Sequence, residues 1–187
     1  MRLSAVLVST AVLAVAATLP AGASTPVALS PVVQHHHGSR TIVGLASRDE
    51  RFSTLVAAVQ AAGLVDTLTG DGPFTVFAPV NDAFAALPTG TVDGLLQPRA
   101  RGTLTSILTY HVVPGRITAR DLLGAVRAGN GRARLTTVEG GTLTVTADGH
   151  GALTLTDEKG ARIRVVVADV RASNGVIHAI DGVLMPG

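Results

Sequence analysis

One segment decides the fold of this chain, and its sequence is Phe74-Thr75-Val76-Phe77-Ala78-Pro79-Val80-Asn81-Asp82-Ala83-Phe84. Its first five residues are mostly aromatic or β-branched, which predicts a short buried strand. Pro79 has no N–H to donate to a strand ladder, so the strand should stop there. Asn81 is a residue type preferred at helix N-caps, and we expect it to cap a short helix that turns Phe84 inward. The segment therefore predicts a strand followed at once by a helix.

Helical patterns lie on both sides of this segment. Upstream, Asp49 is a candidate N-cap and Gly63 a candidate C-terminal stop for an amphipathic helix. Downstream, one stripe at helical spacing includes a histidine, and it consists of Leu104, Ile107, Leu108 and His111. Thr118 and Asp121 then have the spacing of a capping box, which predicts a further short helix.

Beyond Arg132 the apolar period changes from helical to two. Hydrophobic residues alternate with threonine or arginine in three runs, which are 142–146, 153–156 and 162–167. Turn-forming clusters separate the runs, as in an antiparallel meander built from hairpins. Asn174-Gly175 is expected to form the last two-residue turn. The chain is therefore predicted to be α+β, with N-terminal helices packed on a mainly antiparallel sheet or meander.

Three motifs give the chain a resemblance to a known family. They are the opening segment, the pair Tyr110-His111, and the run from Val167 to Pro186 that contains Asn174-Gly175 and His178. In this order and at this spacing they resemble the fasciclin (FAS1) domain family, over residues 41 to 186. The resemblance implies a fasciclin-like fold and a non-catalytic module for extracellular adhesion or interaction.

The resemblance also supplies the candidate functional residues. They are interpreted as fold-supporting positions and as candidates for interaction with a partner, and they are Asn81, Asp82, Phe84, Tyr110, His111, Asn174, Gly175 and His178. No catalytic residue, metal ligand or cofactor is predicted among them.

Residue chemistry alone gives the histidines and the Asn-Asp pair simpler roles. His111 lies on an apolar stripe, so we favour a hydrogen-bonded core histidine over a catalytic group or ligand. Asn81 and Asp82 are interpreted as a helix cap and a charge at the positive end of the helix. His178 is interpreted as structural. A hydrolase in which both histidines converge with aspartates is kept as a third hypothesis.

The N-terminal residues predict processing rather than fold. Residues 1–23 have the features of a signal peptide, with Arg2 at the start, an apolar stretch, and Ala21-Gly22-Ala23 as a cleavage site. Residues 24–40 are interpreted as a flexible tail, and residues 41–187 as a single fasciclin-like domain. The cluster His35, His36 and His37 has the chemistry of metal ligands, but we interpret it as part of the solvated tail.

Composition excludes several classes of function. The chain has no Cys, which excludes thiol catalysis, disulfides and cysteine metal sites. A formal net charge of +2 and five residues of Tyr and Phe together, with no Trp, make a nucleic-acid partner unexpected. Arg127, Arg132 and Arg134 have the charge to meet an acidic polysaccharide or a lipid head group, and we interpret them as a solvated loop.

Two functions follow from these observations. The first is a secreted, monomeric, non-catalytic domain that mediates adhesion by binding an extracellular protein or carbohydrate. The alternative is a carrier of a lipid or pigment in an apolar cleft beside the meander, lined by Leu153, Leu155 and Ile163. No stable membrane span is expected once the signal peptide is removed. Secretion or loose association with the cell envelope is expected.

Overall fold

The predicted strand at residue 74 is the second strand from one edge of a seven-stranded sheet. The computed structural model describes residues 40–187. The strands of the sheet are β1 (Phe74–Pro79), β2 (Val112–Pro114), β3 (Arg132–Thr136), β4 (Thr142–Ala147), β5 (Leu153–Thr156), β6 (Arg162–Ala172) and β7 (Gly175–Ile180). Their order is β2-β1-β7-β6-β5-β4-β3, and every neighbouring pair is antiparallel except β1 and β7, which are parallel.

The helices of the described residues all precede β3, the first strand of the antiparallel meander β3 to β6. Those in the described residues are α1 (Ile42–Ala46), α2 (Ser53–Ala62), α3 (Val65–Thr69), α4 (Asn81–Ala85), α5 (Thr91–Leu95), α6 (Arg101–Tyr110) and α7 (Ala119–Ala128), with 3₁₀ turns at Glu50–Phe52 and Pro98–Ala100. The α+β class and the meander predicted from the sequence are confirmed. The signal peptide predicted for residues 1–23, the tail before residue 40 and His35 to His37 lie outside the described residues.

The predicted helix signals operate as expected at two helices. Gly63 ends α2 in the left-handed conformation, at φ 72°, where a residue without Cβ is favoured. Asp49 caps the 3₁₀ turn that leads into α2. At α7, Thr118 and Asp121 form both bonds of the capping box.

Strand β6 joins the two halves of the sheet. Residues Arg162–Arg164 pair with β5, whereas Val165–Ala172 pair with β7. The register with β7 shifts twice between these ends, and Asp169 has a φ of 61° within the irregular stretch. Such irregularities bend a strand, so one strand serves both the β1–β7 pair and the meander.

The parallel pair is buried on both faces. Val76 and Ile177 pack in a core with α1, α2, α3 and α6. Phe77 and Ile180 pack in a second core with α7 and the meander. All six residues of β7 are buried, which explains why its sequence is continuously apolar around His178 instead of alternating.

The last hairpin turn is displaced by one residue from its predicted place. Ala172 pairs with Gly175, so the two-residue loop is Ser173–Asn174 and not Asn174-Gly175. Gly175 instead begins β7, opposite Phe74. A Cβ at Gly175 would collide with the carbonyl oxygen of Phe74, so this glycine permits a close approach of two backbones.

We expect Gly175→Ala to destabilise the protein by about 3 kcal/mol or more, because the methyl group would force β1 and β7 apart. Gly124→Ala is the control, since Gly124 is exposed inside α7 and an added Cβ there meets nothing within 4 Å. It should stabilise by about 0.5 to 1 kcal/mol. Urea denaturation measures both, and a Gly175→Ala midpoint equal to wild type would contradict the described pairing.

Candidate functional site

Asn81 caps a helix, although not the predicted one. The N-cap of α4 is Val80 and it makes no side-chain cap bond. The Asn81 side chain instead accepts a hydrogen bond from the Thr54 N–H at 3.1 Å and donates to the Glu50 carbonyl at 2.8 Å. It thereby satisfies a free N–H in the first turn of α2, so the prediction of a local cap was wrong. The side chain ties the start of α4 to the start of α2.

Asp82 and Phe84 lie on the same short helix with different exposure. Asp82 is exposed, and Phe84 is half-buried against both neighbouring cores. Asp82 lines an open groove of about 500 Å³ with Val166 and Asp181. Asp82 is therefore the motif residue of this segment that is available to solvent.

His111 follows the last residue of α6 and is 2% exposed. Its Nδ1 lies 2.7 Å from the Ile107 carbonyl, to which it must donate, and its Nε2 accepts from the Leu184 N–H at 3.0 Å. These partners require the neutral ring with the proton on Nδ1. Burial lowers the pKa of His111 to about 4, so the ring is neutral at physiological pH and both nitrogens are occupied.

Tyr110 extends into the opposite core from His111. Its ring packs against Gly141, where an added Cβ would lie 2.5 Å from the ring. Its hydroxyl donates to the Thr142 carbonyl at 3.0 Å and accepts from the Glu158 N–H at 3.3 Å. Burial raises the pKa of Tyr110. The Tyr-His pair thus connects the end of α6 to the meander through one ring and to the C-terminal segment through the other.

Asn174 connects three separate segments from the last hairpin turn. Its Oδ1 accepts from the Ile42 N–H at 3.0 Å, at the first residue of α1. Its Nδ2 donates to the carbonyls of Leu68 and Gly70 at 2.8 and 3.1 Å. Its own carbonyl accepts from the Phe74 N–H at the start of β1. The amide oxygen and the amide nitrogen of Asn174 are therefore both hydrogen-bonded within the fold.

His178 is fully buried in the middle of β7 and stacks on Phe77, with ring centroids 5.5 Å apart. Its Nε2 lies 3.0 Å from the Ile117 carbonyl, and its Nδ1 accepts from the Asp169 N–H at 3.3 Å. The ring is thus neutral with its proton on Nε2. Burial lowers the pKa of His178.

Sequence reasoning missed three polar residues that complete these networks. Thr75 is fully buried, donates to the Gly115 carbonyl and accepts from the Ile117 N–H. Asp169 accepts from the first N–H of α7, and Asp157 accepts from the Met185 N–H. A threonine inside an apolar run was the available signal for Thr75. The two aspartates resemble ordinary turn and surface residues in the sequence.

The structure does not assemble the candidate histidines into a catalytic or metal site. Within residues 40–187, no hydrogen bond or ring contact joins His111 to His178, and no three His, Cys, Asp or Glu side chains are grouped to hold a metal ion. Asp181 accepts from the Arg164 N–H rather than from either histidine. Each of the two histidines lies in its own network of internal bonds.

The apolar cleft expected beside the meander is closed. Leu153, Leu155 and Ile163 are at most 4% exposed and pack in the core with α7, so the predicted open pocket there is wrong. A small apolar cavity lies between the N-terminal helices and β1, beside His111. Its volume is about 30 Å³, which is the share of liquid volume that about one water molecule takes. A lipid or pigment cannot fit there without rearrangement.

A polar groove lies on the outer face of the meander, which is the face turned away from the core. The groove of about 780 Å³ runs over strands β3 to β6 and is lined by threonines and arginines. This groove and the one beside Asp82 both present polar side chains to solvent.

Comparison with known proteins identifies relatives over most of the chain. The model of the Fasciclin domain family matches residues 50–186. Protein sll1483 of Synechocystis is 51% identical over 147 residues, which are 78% of this chain and 73% of that protein. Immunogenic protein MPB70 of Mycobacterium bovis is 37% identical over 146 residues, 75% of this chain and 66% of the relative.

A solved structure supports the fold at lower sequence identity. The FAS1 domain pair of the insect cell adhesion molecule Fasciclin I superposes with a TM-score of 0.67 and 23% identity. The match covers 78% of this chain and 50% of that chain. This confirms the fasciclin-like fold. In residues 40–187, no helix has both the length and the apolar character needed to cross a membrane.

Asn81→Ala should lower the free energy of unfolding by about 1 to 2 kcal/mol, because it leaves the Thr54 N–H and the Glu50 carbonyl without their partner. Asp82→Ala is the matched control on the adjacent exposed residue and should change stability by less than about 0.5 kcal/mol. Urea denaturation at neutral pH compares them. Equal losses in the two variants would show that the bonds to α2 are not what Asn81 contributes.

Stability should rise with pH between about 4 and 6.5. In this window the unfolded chain protonates His111, whose usual pKa is 6.5, while the folded chain keeps it neutral. The contribution is complete above pH 6.5 and is lost as the pH falls to about 4, with a size on the order of 3 kcal/mol. His178 acts in the same direction.

Urea denaturation across this range should give a shallower pH dependence for His111→Gln than for wild type, since glutamine does not titrate. His150→Gln removes an exposed histidine and serves as the control, which should keep the wild-type slope. Identical slopes for wild type and His111→Gln would exclude a buried neutral His111.

Proposed function

Because this chain belongs to the fasciclin domain family, we propose that it is a secreted, non-catalytic adhesion domain that binds an extracellular protein or carbohydrate as a monomer. The proposal includes removal of residues 1–23 as a signal peptide, a tail over residues 24–40, and one domain over residues 41–187. The solved relative is named as a cell adhesion molecule. None of the relatives described above is named as an enzyme.

The observation that carries the proposal is the internal satisfaction of the motif residues. His111 and His178 use both ring nitrogens within the fold, and Asn174 uses its amide oxygen and nitrogen. Every buried side-chain nitrogen or oxygen in the described residues has a hydrogen-bond partner. Catalysis needs a polar group that is free to exchange a proton or bond with substrate, whereas adhesion needs a stable scaffold with an exposed surface.

A capture experiment tests this function. The full chain, with a C-terminal tag, is expressed in its own host, and the mature N-terminus is determined from material in the medium and the envelope. We expect cleavage near residue 24 and reproducible co-purification of a protein or glycan, identified by mass spectrometry.

The matched control is Gly175→Ala, which keeps every exposed side chain, and capture is compared under conditions in which urea denaturation shows the variant, but not the wild type, to be unfolded. A partner that depends on the folded surface should be lost with this variant, and equal capture would mean nonspecific adsorption. Retention of the chain inside the cell, or a stoichiometric lipid or pigment in place of a partner, would contradict the adhesion proposal.

A further inference from the structure

The outer face of the meander carries two cross-strand rows of identical composition. Strand register aligns an arginine, two threonines and an arginine in each row. The first row is Arg132, Thr146, Thr154 and Arg164, and the second is Arg134, Thr144, Thr156 and Arg162. The alternating neighbours Leu143, Val145, Leu155 and Ile163 are buried. The rows therefore face away from the core, and we call these eight residues the arginine–threonine face.

The face has defined dimensions. Its arginines lie on β3 and β6, which are separated by β4 and β5. Adjacent strands are about 4.8 Å apart, so the backbone positions of the two arginines in a row are about 14 Å apart, and the rows are separated by about 7 Å. The open groove of about 780 Å³ lies over this area and is lined by seven of the eight residues. Threonines of β4 and β5 line it between the arginines of β3 and β6, and the Thr146 hydroxyl donates to the Thr154 carbonyl at 3.4 Å.

The charge of the face is not neutralised by the fold. Among the described residues the ion pair present is Arg51–Asp49, which lies elsewhere, and none of the four arginine side chains makes a hydrogen bond. Two carboxylates lie close by. Asp148 lines the groove and accepts from the His150 and Ala152 N–H groups, and Asp181 accepts from the Arg164 N–H.

The four arginines of the face determine the sign of the chain's net charge. The whole chain has a formal net charge of +2, so subtracting the four arginines leaves −2 for the rest. Protection of a sheet edge explains arginines on β3, which ends the sheet. Arg162 and Arg164 lie on the part of β6 that has β5 as its only strand neighbour, so edge protection applies there too, but it does not require these arginines to align with those of β3.

We propose that the arginine–threonine face binds an acidic polysaccharide, which rests on the adhesion function proposed above and names its partner class. The arginines would bind carboxylate or sulfate groups by charge-assisted hydrogen bonds. The threonine hydroxyls between them donate and accept hydrogen bonds, as the hydroxyls of a sugar chain require. A protein partner would need apolar anchors, and the large hydrophobics exposed in the described residues, Val138 and Val166, lie outside both rows.

Other polyanions fit the face less well. It has no aromatic side chain on which bases could stack. A membrane surface would meet the charges but would make no use of hydroxyls at the bottom of a groove, and no apolar side chain on the face would insert into lipid.

Binding is tested with the purified full chain and four probes: polygalacturonate, dextran sulfate, neutral dextran, and phosphatidylglycerol–phosphatidylcholine vesicles. We expect binding to at least one acidic polysaccharide that weakens with salt, and no binding to neutral dextran. Arg162→Gln with Arg164→Gln should weaken the affinity by about tenfold, and Arg132→Gln with Arg134→Gln should do the same.

The matched control is Arg48→Gln with Arg99→Gln, which removes the same charge at exposed positions off the face. It should change the affinity less than twofold, since distant exposed charges are screened. Thr144→Val with Thr156→Val keeps size and strand propensity but removes two hydroxyls, and should weaken polysaccharide binding by about three- to tenfold. Melting temperatures of all variants establish that each is folded.

Several results would overturn the inference. They are equal losses in the face and control variants, an unchanged affinity after the threonine substitutions, or binding to vesicles without binding to either acidic polysaccharide. If the face variants still capture the wild-type partner from the envelope, the inference fails while the adhesion proposal stands. If the wild-type chain captures no partner at all, the adhesion proposal fails together with the inference that rests on it.

Discussion

The parallel pairing of β1 with β7 brings together segments that are far apart in the chain, with Phe74 opposite Gly175 and Pro79 opposite Ile180. Two parallel strands cannot be joined by a tight turn, so a long connection must run from the end of β1 back to the start of β7. The helices α4 to α7 and the whole meander form that connection. Closing so long a loop has an entropic cost that the pair must offset, which is why both faces of β7 are buried.

Two asparagines hold this pair at its ends. Asn174 lies where β1 and β7 begin, and it bonds the first residue of α1 and the C-terminal end of α3. Asn81 lies just beyond the end of β1 and bonds the start of α2. An amide side chain suits both places, because its nitrogen donates and its oxygen accepts from the same carbon atom. It also carries no charge that burial would have to desolvate. The motifs therefore fix where the helical layer sits on the central strands.

The two buried histidines solve the same problem with opposite tautomers. Each must join a carbonyl on one side to an N–H on the other across a rigid ring. His111 donates from Nδ1 and accepts at Nε2, whereas His178 donates from Nε2 and accepts at Nδ1. A hydrophobic residue would leave two buried backbone groups without partners at each site. At both sites the two ring nitrogens are occupied by backbone groups of the fold.

Local signals predicted the local structure, and the errors lie where long-range geometry decides. Capping patterns and periodicity gave α2, α7 and the meander, since those depend on neighbouring residues. The bond of Asn81 to α2 and the one-residue shift at Gly175 follow from contacts between distant segments, which no local pattern encodes. The same limit applies to the surface. Arg127 was grouped with Arg132 and Arg134 by sequence proximity, although it lies in α7. Arg162 and Arg164 join them only through strand register.

The meander contains both kinds of residue, the buried ones that form the scaffold and the outward ones that form its surface. Along β4 and β5 every second side chain is buried, and truncating such a residue typically costs about 2 to 5 kcal/mol. The residues between them face solvent, where substitutions usually change stability by no more than about 0.5 kcal/mol. Because the motif residues direct their hydrogen bonds inward, the outer face of the meander is free to change without disturbing them. One fold can therefore present different ligand surfaces, and the polysaccharide site proposed above lies on the outward residues of the meander rather than at the motifs.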